Sequence, residues 1–183
     1  MNSEYQSFLE NYENKTRPYV LPKEEEEPTM TVQQDVSTFP AEIQRIRETL
    51  LEASSHLLYI SESEQKYDFV FIPNEDITEL PNDCTQFKSL IKQSNDLTLK
   101  NDEDSNRILE FQEFFDNFTA EYAEDPYGQK DGYKELQKIV EATFHGKENV
   151  KIYKIGDRRV DVYIVGLIKG AGIVGLKTVS IET

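Results

Sequence analysis

The sequence has few of the residues that form cross-links or catalytic sites. Its only cysteine, Cys84, cannot form a disulfide within the chain, so we expect a reducing, cytoplasmic location and an inert thiol. The two histidines, His56 and His145, lie at the ends of predicted helices, where histidine more often interacts with the helix dipole than with a substrate. We therefore expect no enzymatic activity and no bound cofactor.

Long hydrophobic runs are also missing. No apolar stretch approaches the roughly 20 residues that a bilayer-spanning helix needs. The first residues, Met1 to Tyr5, lack the apolar segment of a secretory signal. These features predict a soluble protein with no membrane partner.

Basic residues are scarce compared with acidic ones. The chain has 20 Lys and Arg against 35 Asp and Glu, and its net charge is −15. A chain of this charge cannot neutralise many phosphates, which argues against direct binding to nucleic acid. It favours a basic protein partner, although acidity that serves only solubility remains the alternative.

The charge and the helix-breaking residues divide the chain. Residues 1–127 carry a net charge of −18 and residues 128–183 a net charge of +3; every proline precedes residue 127 and every glycine follows it. An acidic run, Glu24–Glu27, stands before Pro28 in a proline-containing N-terminal segment. We predict an acidic, mostly disordered tail over residues 1–38 and one domain over residues 39–183.

Apolar spacing predicts three helices. An apolar stripe indicates a helix over residues 40–59, with Thr38 as its cap. A second helix is predicted to begin at Ser105 and to bury an apolar face, and a third to run from Asp131 to Phe144, with Gly146 in the left-handed position after it. The second helix would bury Ile108, Phe111, Phe115 and Phe118.

Strands are predicted at residues 67–72, 150–155, 159–168 and 173–181. The strand after Arg159 is apolar on both faces except at Asp161, which indicates a central strand covered on both sides; we expect Asp161 to pair with Arg158 or Arg159 or to face an edge. Gly170, Gly172 and Gly175 match G-x-G-x-x-G but precede a strand, so we interpret them as a hairpin turn and an in-strand glycine. The predicted fold is α+β, an α-β-α sandwich with a mostly antiparallel central sheet.

Two acidic segments are candidate binding groups. The sequence stops at Glu182-Thr183 directly after a predicted strand, so two carboxylates and a hydroxyl are expected to project from a rigid sheet. Such hard oxygens suit Mg²⁺, Mn²⁺ or Ca²⁺. Glu62 and Glu64 lie in a second acidic segment, which taken alone is more typical of a solvated loop. Together the two segments suggest a protein that inserts acidic groups into another protein's cationic, metal-bearing site.

Three stretches resemble the nuclease A inhibitor family. They are Leu57–Glu64, the hairpin of residues 150–156 and 159–166, and the ending from Ala171 to Thr183. These motifs anchor a match over about residues 40–183. The resemblance implies a sandwich like the pathogenesis-related 1 fold and a monomer that forms a 1:1 complex with a nonspecific ββα-metal DNA/RNA endonuclease.

The resemblance also implies how the inhibitor acts. Thr183 would approach the catalytic Mg²⁺ of the nuclease, Glu62 would assist at that metal through water, and Glu121 and Tyr122 would contact the enzyme. Glu64 and Glu182 complete the predicted nuclease-binding set. The family has no equivalent of residues 1–38, matches residues 73–104 poorly, and has tryptophan where this chain has Tyr122. These differences leave open a scaffold or interaction domain that binds a non-nuclease protein.

Overall fold

The computed structural model describes residues 35–94 and 105–183, within the compact unit Asp35–Thr183. Most of the predicted tail, residues 1–34, lies outside the described residues. Residues Val36–Thr38 form a 3-10 turn in which the Asp35 carboxylate accepts hydrogen bonds from Ser37. Among the described helices, none combines the length and apolar character needed to cross a membrane.

Four helices and seven strands make up the described part of the chain. The helices are α1 (Ala41–Ser54), α2 (Cys84–Ser94), α3 (Phe111–Thr119) and α4 (Lys130–Thr143). The strands are β1 (Tyr59–Ile60), β2 (Glu64–Gln65), β3 (Asp68–Pro73), β4 (Arg107–Leu109), β5 (Val150–Gly156), β6 (Arg159–Ile168) and β7 (Gly172–Ile181).

The main sheet has five strands in the order β3-β7-β6-β5-β4, and every neighbouring pair is antiparallel. The strand β6 lies in the middle of this order, so the prediction of a central strand is confirmed. The short strands β1 and β2 pair only with each other. Helices together with this sheet make the protein α+β, as predicted.

The two faces of the sheet bury different side chains. Along β6, Val160, Val162 and Ile164 belong to a core cluster that also contains buried residues of α1, α3 and α4. Tyr163 and Val165 alternate with them and join Phe87 of α2 in a second cluster. Helices therefore pack on both faces; the resemblance to the pathogenesis-related 1 fold stays a prediction.

The predicted helix beginning at Ser105 is wrong over its first residues. Arg107–Leu109 form the edge strand β4, paired with β5, and α3 begins only at Phe111. The 3-residue spacing of Ile108 and Phe111 imitates a helical period, but pairing with β5 satisfies the backbone there. The Ser105 hydroxyl donates to the Gly156 carbonyl at 2.7 Å, which binds this segment to the sheet.

Two predicted helix ends also differ. Pro40, not Thr38, occupies the cap position of α1, and the helix ends at Ser54. After α4 the left-handed residue is His145, with φ 60°, while Gly146 donates its amide to the Glu141 carbonyl at 2.9 Å. This is the Schellman arrangement shifted by one residue from the prediction.

Close packing explains why two strand positions are glycine. A Cβ on Gly175 would overlap the Ile164 carbonyl of the neighbouring strand, as expected for an in-strand glycine. A Cβ on Gly166 would overlap the Phe144 ring, which lies over β6 where α4 ends.

An ion pair on the sheet was assigned wrongly from sequence. The Asp161 carboxylate lies 3.7 Å from the Lys177 ammonium on β7, rather than pairing with Arg158 or Arg159. Asp161 pairs with Val179 and Tyr163 pairs with Lys177, so strand alternation places the Asp161 and Lys177 side chains on the same face of neighbouring strands.

Candidate functional site

The candidate site begins at the tight hairpin formed by β1 and β2. Tyr59 pairs with Gln65 and Ile60 with Glu64, so Ser61–Ser63 form the turn. The Ser61 amide donates to the Ser63 carbonyl at 3.0 Å. Glu62 therefore stands exposed at the tip of the hairpin, rather than in an unstructured acidic loop.

Side chains from α4 and from its N-terminal cap residue, Gln129, hold Leu58, which directly precedes β1. The Leu58 amide donates to the Gln129 side-chain oxygen at 2.6 Å, and the Tyr133 hydroxyl donates to the Leu58 carbonyl at 2.8 Å. The strand β7 holds the other end, because the Thr178 hydroxyl donates to the Lys66 carbonyl at 2.9 Å. The base of the hairpin is thus bound to both the helical layer and the sheet.

The Tyr133 contact belongs to a buried network. The Tyr67 and Tyr133 hydroxyl oxygens lie 2.9 Å apart. Because the Tyr133 hydroxyl donates its hydrogen to the Leu58 carbonyl, it accepts a hydrogen bond from the Tyr67 hydroxyl. Burial raises the pKa of both phenols, that of Tyr67 well above its usual value. Both therefore stay protonated and act as donors over the physiological pH range.

The tip of the hairpin is bound to the end of β7. The Ile181 amide donates to the Ser61 hydroxyl at 2.9 Å, and the Glu62 amide donates to the Ile181 carbonyl at 3.3 Å. Two residues further on, the Thr183 hydroxyl donates to the Glu62 carboxylate. The structure thus joins the two acidic segments that the sequence separates by 121 positions.

Glu182 has a different environment. Its carboxylate accepts hydrogen bonds from the Lys154 ammonium at 2.9 Å and from the Ser180 hydroxyl at 3.1 Å, and its amide donates to the Arg158 carbonyl at 2.8 Å. The hydrogen bond from Lys154 holds the pKa of the Glu182 carboxyl below its usual value. The carboxylate that was expected to project from the sheet is instead engaged within the protein.

The remaining predicted residues lie around the hairpin and on the loop that follows α3. The Tyr127 hydroxyl donates to the Glu64 carboxylate at 2.8 Å, which links that loop to the hairpin. Glu121 and Tyr122 are exposed in the turn directly after α3, and Tyr122 is 80% exposed. Within the described residues, no side-chain hydrogen bond joins either of them to the hairpin.

The oxygens of Glu62 and Thr183 define what the site can do. A carboxylate and a hydroxyl lie side by side on two hydrogen-bonded backbone segments, and both residues are exposed. Such oxygens can contact a hard cation or a cationic side chain of a partner. In residues 35–94 and 105–183, no group of three or more His, Cys, Asp or Glu side chains could hold a metal ion.

Sequence reasoning missed the residues that position the site. Lys154 stands two places after Ile152 in β5, on a face whose other members are apolar, so strand alternation predicts a buried lysine there. A buried lysine requires an acidic partner, and this requirement is the clue that could have led to Glu182. Tyr133, Gln129 and Tyr127 offered no comparable clue, because their partners are distant in sequence.

The architecture and the site together define a class: a small α+β protein that presents acidic oxygens from a rigid strand end and hairpin. A family model described as nuclease A inhibitor-like protein matches residues 44–183, most of the chain. The chain belongs to the nuclease A inhibitor-like family. A search of curated protein sequences found no match.

Removing the Tyr133 hydroxyl should loosen the hairpin. Tyr133→Phe removes the shorter of the two hydrogen bonds to the Leu58 carbonyl, leaving the one from the Gln129 side-chain amide at 3.3 Å, and deprives the buried Tyr67 hydroxyl of its acceptor, which costs about 1–3 kcal/mol of unfolding free energy. We expect faster amide exchange over residues 59–65 and a lower urea midpoint. Tyr163→Phe, the same change on the other face of the sheet, should leave exchange in the hairpin unaltered. Equal exchange in Tyr133→Phe and wild type would contradict this assignment.

The ion pair of Glu182 should make stability depend on pH. The groups facing its carboxylate are Lys154, Ser180 and, at longer range, Arg107. Because its folded-state pKa lies below the usual value of 4.5, its contribution to stability is present above pH 4.5 and is lost as the pH falls through the folded-state pKa.

The measurement is the melting temperature of wild type and Glu182→Gln as a function of pH. The difference should be largest near neutral pH and should shrink in acid. Glu48→Gln, a change at an exposed glutamate in the middle of α1, is the matched control and should show little difference at any pH. A Glu182→Gln difference that stays constant from neutral pH to pH 3 would count against the pair.

Proposed function

We propose that this protein inhibits a nonspecific DNA/RNA endonuclease of the ββα-metal class by inserting Glu62 and Thr183 into its active site. Membership of the nuclease A inhibitor-like family supports a role as a nuclease inhibitor. The observation that carries the finer proposal is the hydrogen bond from the Thr183 hydroxyl to the Glu62 carboxylate, which brings the two groups to one exposed point.

The chemistry of a nuclease site supports this mechanism. Such a site holds a hard metal and cationic groups that bind the scissile phosphate. A carboxylate and a hydroxyl at the end of a strand can occupy the phosphate position, with Thr183 near the Mg²⁺ and Glu62 acting through water. Because both segments are fixed by hydrogen bonds before binding, little conformational entropy is lost on association.

The surface around this point supports a cationic partner. The net charge of −15 favours rapid encounter with a basic cleft, and it disfavours direct contact with nucleic acid. Glu64, Glu121 and Tyr122 are exposed on the hairpin and the neighbouring loop. In our proposal they form the periphery of the interface, where an exposed aromatic such as Tyr122 supplies apolar contact area.

The ion pair with Lys154 changes the part assigned to Glu182. Since its carboxylate is already bound by Lys154 and Ser180, we propose that Glu182 supports the interface rather than contacting the metal. We further propose a monomer that binds the nuclease one to one in the cytoplasm. The helices on both faces of the sheet support an α-β-α sandwich of the pathogenesis-related 1 type.

Nuclease titration tests the function. Plasmid cleavage by a Mg²⁺-dependent ββα-metal endonuclease should fall to zero at about one equivalent of the purified chain ending at Thr183. Failure to inhibit any nuclease of this class at large excess would contradict the proposal. It would leave the second candidate, an interaction domain for a non-nuclease protein.

Extending the chain tests the mechanism. Two residues appended after Thr183 displace its α-carboxylate and add atoms where the metal of the nuclease must approach. The inhibition constant should therefore rise by at least about 100-fold. Glu62→Ala should cause a smaller rise, because its contact is made through water.

The matched control is Glu42→Ala, which removes an acidic group from the opposite end of the sheet. Glu42 lines a cavity together with Ile168 and Lys169, next to the turn where β7 begins, and the ten residues of β7 separate that end of the sheet from the site by about 30 Å. Its inhibition constant should equal that of wild type. If the chain extended beyond Thr183 inhibits as well as wild type, Thr183 does not insert into the nuclease active site.

A further inference from the structure

Lys154 is a buried cation on an otherwise apolar part of the sheet. Its side chain is only 8% exposed, whereas that of Glu182 is 47% exposed. Its neighbours on the same face include Ile152 of β5 and Val162 of β6, both fully buried. An ammonium group in such a place is costly unless an acid pairs with it. Glu182 supplies that acid at 2.9 Å.

We infer that Lys154 is a positioning residue for inhibition: by holding Glu182, it directs Thr183 onto Glu62. This inference rests on the proposed function, since it explains how the inhibitory pair is kept in place. Lys154 itself does not contact the nuclease in this account.

The sheet register shows how Lys154 reaches the strand end. Lys154 pairs with Val162 across β5 and β6, and Val162 pairs with Thr178 across β6 and β7. Ser180 lies one same-face step further along β7 than Thr178, and Glu182 one step beyond Ser180. The lysine side chain therefore runs diagonally across β6 to meet the segment where β7 ends.

Fixing Glu182 determines the direction of Thr183. Successive side chains of an extended segment point to opposite sides, and Glu182 continues the strand by donating its amide to the Arg158 carbonyl at 2.8 Å. With the Glu182 side chain held on the Lys154 face, the next side chain is turned away from that face, where its hydroxyl meets the Glu62 carboxylate. Without this attachment, the two residues beyond β7 would retain only the hydrogen bonds to Arg158, Ser180 and Glu62.

The Ser61 hydroxyl and Lys154 hold different residues at the end of β7. Ser61 binds Ile181, the last residue of β7, while Lys154 binds the next residue. Ser61 thus aligns the hairpin with the strand, and Lys154 controls the residues that follow. Loss of Lys154 should disturb Thr183 while leaving the hairpin base and the sheet intact.

The test compares Lys154→Met with wild type by two readouts. The first is the inhibition constant in the nuclease titration, which should rise about 10- to 100-fold because Thr183 is no longer held against Glu62. The second is the amide hydrogen-exchange rate of Ile181 and Glu182 in the free protein, measured by NMR. Relative to wild type, Lys154→Met should increase the exchange rate of Glu182 more than that of Ile181. Lys154→Arg keeps the charge and should retain most of the inhibition.

The matched control is Lys177→Met. Lys177 also forms an ion pair across the sheet, with Asp161, but on the opposite face and with no bond to Glu182. Lys177→Met should leave the inhibition constant and the amide exchange rate of Glu182 unaltered. Glu182→Ala, which removes the acceptor, provides a second route if Lys154→Met folds poorly, and it should reproduce the same loss. Combining the two changes should add no further loss if Lys154 acts only through Glu182.

The outcomes separate this inference from the proposed function. If wild type inhibits and Lys154→Met inhibits equally well, the inference is wrong although the function stands. If wild type inhibits no nuclease of the class, the proposed function fails, and the exchange readout alone decides whether Lys154 orders the segment. Unchanged Glu182 exchange in Lys154→Met would overturn the inference in either case.

Discussion

The site depends on the hydrogen bonding between the Ser61–Ser63 turn and the end of β7. Ile181 binds Ser61 through its amide and Glu62 through its carbonyl, so a hairpin and a strand end from opposite halves of the chain form one surface. Neither partner would be rigid alone, because a two-stranded hairpin is marginal in water and a strand end frays. Their mutual attachment creates the exposed pair of Glu62 and Thr183.

The rest of the fold supports this attachment from below. The strand β7 is ten residues long; β6 pairs with it along its whole length up to Ile181, and β3 pairs with its first part, up to Lys177. Tyr133 of α4 and Gln129, which caps that helix, hold Leu58 at the base of the hairpin. The Lys154–Glu182 ion pair then fixes the first residue after the end of β7. The proposed insertion into a cationic nuclease cleft requires an acidic group held in place in this way.

Periodicity within elements predicted much of this architecture. A run that is apolar on both faces except at Asp161 identified the central strand, and apolar residues at helical spacing identified α4, which buries Tyr133, Leu136 and Val140. Where two patterns competed, sequence reasoning failed: Ile108 fits a helical stripe with Phe111, but pairing with β5 decides its structure. The Glu62–Thr183 pair was predicted through family resemblance, whereas the Glu182 environment was missed because Lys154 approaches it from two strands away. Long-range pairing of polar side chains has no local periodicity, so only the folded structure reveals it.

The most direct test of the account is a double-mutant cycle on the inhibition constant with Glu62→Ala, Thr183→Val and the double variant. If the two side chains act as one hydrogen-bonded unit in the nuclease site, each single change should weaken inhibition. The double change should weaken it by clearly less than the sum of the two losses, a coupling of at least about 0.5 kcal/mol. Losses that simply add, or single variants that inhibit like wild type, would contradict the central claim that Glu62 and Thr183 form a single inhibitory group.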